Sequence, residues 1–244
     1  MRARPYIANG IFQHIYQRSI DRNTVFQGSL DAIVFISIYK SLSIKYRVNT
    51  LAFCLMSNHI HSLCRARQAK ELVYFVRDYT SAFVLRYNEY HNRKGPLFKR
   101  SFGYAPKREN KHLRTCISYI NNNPVEAHIE SCMDKYVWNL FSYGTEKNPF
   151  SPKTVLSKCS RKLRRSFKEL TFASRHFRPL PYKLLEYCFS DLRNEEKLQL
   201  RDYILRIYSP VDYEGIKSIF GSLEKAKLAM HSFMGSEYDI EIDV

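Results

Sequence analysis

His59 and His61, separated by one residue, are the side chains whose type and spacing first suggest chemistry. Side chains alternate along a β-strand, so both imidazoles leave one face while Ile60 points the other way, into a core. Two imidazoles so placed can chelate a metal ion, but a site needs a further ligand. A second constellation lies in Thr115-Cys116-Ile117-Ser118-Tyr119-Ile120-Asn121-Asn122-Asn123-Pro124. Tyr119 and Asn123 are four residues apart, which on a helix puts a phenol and an amide on one side. The same spacing also suits a tyrosine that merely packs a core. Cys54 and Cys64, near the histidines, read as buried strand residues rather than ligands.

The formal net charge of +16 on 244 residues makes a polyanion, and above all nucleic acid, the expected partner. Arg65, Arg67, Lys99, Arg100, Lys107 and Arg108 are candidates for phosphate contacts. Phe98, Phe102 and Tyr104 lie among the last four of these, a mixture suited to stacking bases while holding a backbone. A dense basic run from Lys158 to Lys168, with Arg161, Lys162, Arg164 and Arg165, is a second candidate clamp. The chain has 8 glycines and no Gly-rich loop followed by Lys-Ser or Lys-Thr, so no nucleotide cofactor is expected. No apolar run reaches the roughly 18 residues that would span a bilayer. Met1 to Asn9 has no apolar signal core, and the six cysteines form no CxxC pair and read as free thiols; a cytoplasmic, nucleoid-associated protein is expected.

Elements must position these groups. Ile11 to Arg18 reads as a strand, and Leu30 to Lys45 as a helix with Ile33, Ile36, Tyr39 and Leu42 on one apolar stripe. Val48 to Met56 and His59 to Leu63 form a hairpin turning at Ser57-Asn58, followed by a helix from Ala69 to Tyr90 that ends before Gly95-Pro96. Leu97 to Ala105 reads as a fourth strand, and Glu109 to Asn122 as a helix stopped by Pro124. Strand, helix, strand, strand, helix, strand is the ferredoxin-like (RRM-like) α+β arrangement, an antiparallel sheet with helices on one face. The tyrosine helix is expected across the opposite face. Residues 1–147 read as the catalytic domain and 148–244 as a basic linker and helical C-terminal extension with an acidic tail from Ser236 to Val244.

Four blocks in order carry a family resemblance: Gln17-Arg18 with Asp21-Arg22; Leu55-Met56-Ser57-Asn58-His59-Ile60-His61; Gly95-Pro96-Leu97-Phe98; and Tyr119-Ile120-x-x-Asn123-Pro124-Val125-x-Ala127. Together they resemble the HUH single-tyrosine transposases of insertion sequences, and within them the REP-associated tyrosine transposases. Trp138 to Tyr143 is similar to a degraded form of that family's Trp-Ser-Ser-Tyr stretch. Ser57 stands where the family usually has proline, and Asn121-Asn122 replace a commoner Glu-Leu.

The resemblance implies that His59 and His61 hold a divalent metal, that Asn123 is its third ligand, and that Tyr119 is the nucleophile. An oxygen and imidazole donor set suits Mg²⁺ or Mn²⁺ held jointly with a substrate phosphate better than a closed zinc site. The expected activity is cleavage and rejoining of single-stranded or hairpin DNA through a 5′-phosphotyrosine, by a monomer or a homodimer. A competing expectation is a non-catalytic nucleic-acid-binding regulator on the same fold, a decayed or domesticated relative that binds without cutting.

Overall fold

The computed structural model describes residues 7–233; the acidic tail and the first six residues lie outside the described part. Four strands, β1 (Phe12–Arg18), β2 (Asn49–Leu55), β3 (His59–Arg65) and β4 (Gly103–Lys107), form one antiparallel sheet in the order β2-β3-β1-β4. Helices α1 (Ser29–Lys45) and α2 (Ala69–Tyr90) make the two crossovers and pack on one face. This is the expected ferredoxin-like α+β arrangement. Helix α3 (Asn110–Glu126) lies on the other face, against β2, β3 and β4.

Four local expectations need correction. Helix α3 runs through Pro124 to Glu126 instead of stopping at Asn122. The proline forfeits the bond to the carbonyl of Ile120, but the turn continues because Ala127 N–H donates to Asn123 O and Ile129 N–H to Pro124 O. The fourth strand starts at Gly103, not Leu97, with Phe98 making only an isolated bridge to Ser19. Gly103 lies opposite Tyr16, whose ring crosses it so closely that any Cβ there would collide with the ring. Helix α1 has no single apolar stripe: Asp31 through Tyr39 are buried without a break. A helix apolar all round is covered all round. The basic run, finally, is most of a helix, α4 (Arg161–Arg175), and not a linker.

What covers α1 is the C-terminal extension. Leu180 N–H donates to Ser37 Oγ, and Tyr182 of α5 (Tyr182–Phe189) donates its hydroxyl to the buried Asp31. Helix α6 (Asn194–Ile207) also packs there, with α4 behind α5 and α6. The chain then rounds the β2 edge, where Val211 bridges in parallel to Thr50 and Asp212 N–H donates to Thr50 O at 2.7 Å. Helices α7 (Tyr213–Phe220) and α8 (Leu223–His231) finish against α3. Buried side chains of both segments form one contiguous cluster. The extension thus covers one sheet edge and touches helices on both faces, leaving β4 as the edge without a strand partner among the described residues. All six cysteines are free and only Cys132 is not buried; no described helix is long and apolar enough to cross a membrane.

Candidate active site

Strands β1 and β3 pair so that Tyr16 faces His61 and Arg18 faces His59. Period two then puts His14, Tyr16 and Arg18 beside His59 and His61 on the α3 face. Ile15, Gln17 and Ile60 take the α1/α2 face, where Gln17 accepts a hydrogen bond from Thr80 of α2.

The hairpin turn is held from outside and orients the first imidazole. Ser57 O accepts from the N–H groups of Val25 and Phe26, and Asn58 O from that of Ser19. Asn58 Nδ2 donates to Arg22 O at 3.0 Å, which turns its Oδ1 toward His59 Nδ1, 2.6 Å away. An amide oxygen only accepts, so Nδ1 of His59 carries the proton and Nε2 keeps its lone pair. The second imidazole is held by another: His61 Nδ1 lies 2.9 Å from His14 Nε2, the two rings stacked. Burial, reinforced by the charge of Arg18, lowers the pKa of His59 to about 4, and burial with Lys107 lowers that of His14 to about 3. Burial also holds His61 well below 6.5, helped by its two histidine neighbours. All three rings are neutral at physiological pH, the state a metal ligand requires.

Tyr119, 9% exposed, stands edge-on to His61 and His14, with centroids 5.9 and 5.8 Å away. Burial, with Glu126 adding to it, pushes its pKa up to about 12, opposed by a hydrogen bond from Asn123 and by the charge of Arg18. Asn123 Nδ2 donates to Tyr119 O at 3.0 Å. That contact uses the amide nitrogen and leaves Oδ1 as an oxygen donor. Asn121 and Asn122 likewise donate back to Ile117 O and Ser118 O. Asn122 donates in addition to Met230 O, and Arg114 to Ile219 O, so α7 and α8 grip the tyrosine helix from behind.

The donor chemistry fits a hard divalent ion. Two neutral imidazoles stand side by side, with centroids 5.0 Å apart, and Asn123 on α3 offers an amide oxygen; no group of three or more His, Cys, Asp or Glu able to hold a metal occurs among the described residues. Cys54 and Cys64 are fully buried, their sulfurs against Met56 and Ser62. Sequence reasoning missed His14 altogether and met Arg18 only within the Gln17-Arg18 block, without a role at the site. The signal that places both there is period two on β1, which sets them on the His-x-His face once the strands are paired.

The basic candidates divide in two. Lys99 and Arg100 lie at the Arg18 end of the sheet, Arg65, Lys107 and Arg108 at its opposite end, and Arg67 is exposed after β3. Arg161, Lys162, Arg164 and Arg165 sit on α4, across the sheet from Tyr119 and behind α1; Lys162 and Arg165 lie over Tyr187 of α5. The structure does not bring that cluster to the site.

Residues 8–123 match the family model described as transposase IS200-like. A solved REP-associated tyrosine transposase bound to a REP hairpin aligns with a TM-score of 0.50 and 16% identity, over 66% of this chain and 98% of that one. At that identity the likeness bears on the fold. No curated protein matches the chain.

Proposed function

We propose, from the premise that residues 8–123 are a transposase domain of the IS200-like family, that this protein cuts and rejoins single-stranded or hairpin DNA through Tyr119. One observation carries the reading: Tyr119 stands edge-on to His61, and His59 and His61 both have Nδ1 engaged, leaving Nε2 for a ligand. A plain binding surface has no use for that arrangement.

His59, His61 and Asn123 would hold Mg²⁺ or Mn²⁺, which when bound supplies Lewis acidity at a non-bridging phosphate oxygen. Tyr119 Oη attacks the phosphorus in line; a Tyr–O–P bond forms, the P–O3′ bond breaks, and a free 3′-OH leaves. Reattack by a 3′-OH reverses the balance and releases Tyr119, so no nucleotide is consumed. Arg18, on the same face as both histidines, adds positive charge where the phenolate and the phosphate meet. Histidines and tyrosine come from one chain, so a monomer has the residues for a site. A cytoplasmic, nucleoid-associated setting would suit an enzyme acting on DNA.

Incubation with Mn²⁺ and labelled hairpin oligonucleotides should give a protein–DNA adduct that resists denaturation and is absent with Tyr119→Phe. Tight binding with no adduct under any metal would instead favour a non-catalytic regulator.

A further inference from the structure

The cations at the two ends of the sheet are joined by the edge that the extension leaves open. Lys99 N–H donates to the carbonyl oxygen of Arg18, whose side-chain charge reaches Tyr119, and β4 follows from Gly103, opposite Tyr16, to Lys107, opposite Phe12. Between them Phe102 and Tyr104 lie with centroids 6.1 Å apart. Pro106 lacks an N–H and blunts this edge against pairing with another strand. At its far end is a cavity of about 400 Å³ lined by Arg65, Lys107 and Arg108, by Asn110 in the first turn of α3, by Asp212, which caps α7, and by Ser218 of α7. Arg65 stacks its guanidinium on Phe12, with 4.5 Å to the ring centroid. The start of α3 has no side-chain cap, so its first N–H groups add to the positive field. Asp212 is the one acid in the lining, and it is occupied by Asn49 Nδ2 and Gly215 N–H.

We propose that the β4 edge is a track for a DNA backbone leading from Tyr119 to this cavity, where a phosphate is held between the catalytic sheet and α7. The proposal rests on the DNA-cleaving reading above and gives the extension a part in substrate binding. From His59 to Arg65 is six residues of strand, roughly 20 Å. At about 3.4 Å per nucleotide along one strand, that is about six base pairs of stem from the scissile phosphate. A short stem stops before the cavity, and a longer one reaches it.

The test is equilibrium binding, in chelator so that nothing is cut, of hairpins sharing one single-stranded foot but with stems of about three and about eight base pairs. For the wild type, log affinity against log salt should be steeper for the long stem by about two, one per added phosphate contact. Arg65→Gln with Arg108→Gln should remove that difference, about a tenfold loss across a fourfold rise in salt. Both side chains are exposed, so melting should match the wild type. Ser218→Glu, from the α7 side, should weaken the long stem alone. Long-stem slopes unchanged in both variants would overturn the track. So would equal losses on both stems, which would place the arginines at the cleavage end. Adduct formation by the wild type in Mn²⁺ is read separately: its absence sinks the cleavage chemistry, whereas the slopes judge the track.

Discussion

His14 and His61 face each other through Nε2 and Nδ1 at 2.9 Å, a contact between rings 47 residues apart in sequence. Both rings are neutral, so one nitrogen donates and the other accepts. With His61 as donor, its Nε2 lone pair faces the site and the ring cannot turn without losing the bond. Partners of this kind typically contribute about 10- to 100-fold to metal affinity. His14→Ala should therefore weaken Mn²⁺ binding by about that factor, read from the free-Mn²⁺ resonance in a titration, and His14→Gln should recover part of it by offering an acceptor. Unchanged Mn²⁺ affinity in His14→Ala would show that His61 is oriented without it.

Acid should destabilise the fold earlier than its carboxylates alone would require. The folded pKa values of His59 and His14, about 4 and about 3, lie below the ordinary 6.5. Between those limits the unfolded chain binds protons that the folded chain refuses. Stability from this source is full above pH 6.5 and declines as the pH falls toward about 4. Urea midpoints measured from pH 7.5 to 4.5 should drop through this window, and His14→Gln should flatten the drop. A wild-type midpoint independent of pH there would contradict the buried neutral state.

Pro124 leaves Ile120 O without its helical donor. Pro124→Ala restores the bond and should raise stability by roughly 1–3 kcal/mol, seen as a higher melting temperature. Changing the backbone bonding beside Asn123 should also slow adduct formation. A variant both more stable and as fast would show that the proline does not set the site.

Asp202 is fully buried and accepts from Tyr143 Oη, Phe150 N–H and Ser151 Oγ, tying the segment from Tyr143 to Ser151 to α6. Asp202→Ala strands those donors and should cost about 2–4 kcal/mol, because each buried group left unpaired costs about 1–3. Chemical denaturation measures this. A loss under about 0.5 kcal/mol would mean that water replaces the carboxylate.

The sequence by itself determined whatever depends on neighbours along the chain. Ser57-Asn58 turns the hairpin, helix α2 spans Ala69–Tyr90 as its pattern required, and period two sets His59 and His61 against Ile60. The four-residue interval placed Tyr119 and Asn123 on one side of α3, and order along the chain gave the sheet. Tertiary structure alone decided who meets whom. His14 and Arg18 join the histidines only because β1 and β3 pair in a particular register, which periodicity within one strand does not encode. Helix α1 lost its polar face because α5 and α6 cover it, and the basic helix α4 was carried to the far side of the sheet. Periodicity reports which face of an element is buried. What buries it depends on contacts between distant segments, and those are fixed only when the whole core packs.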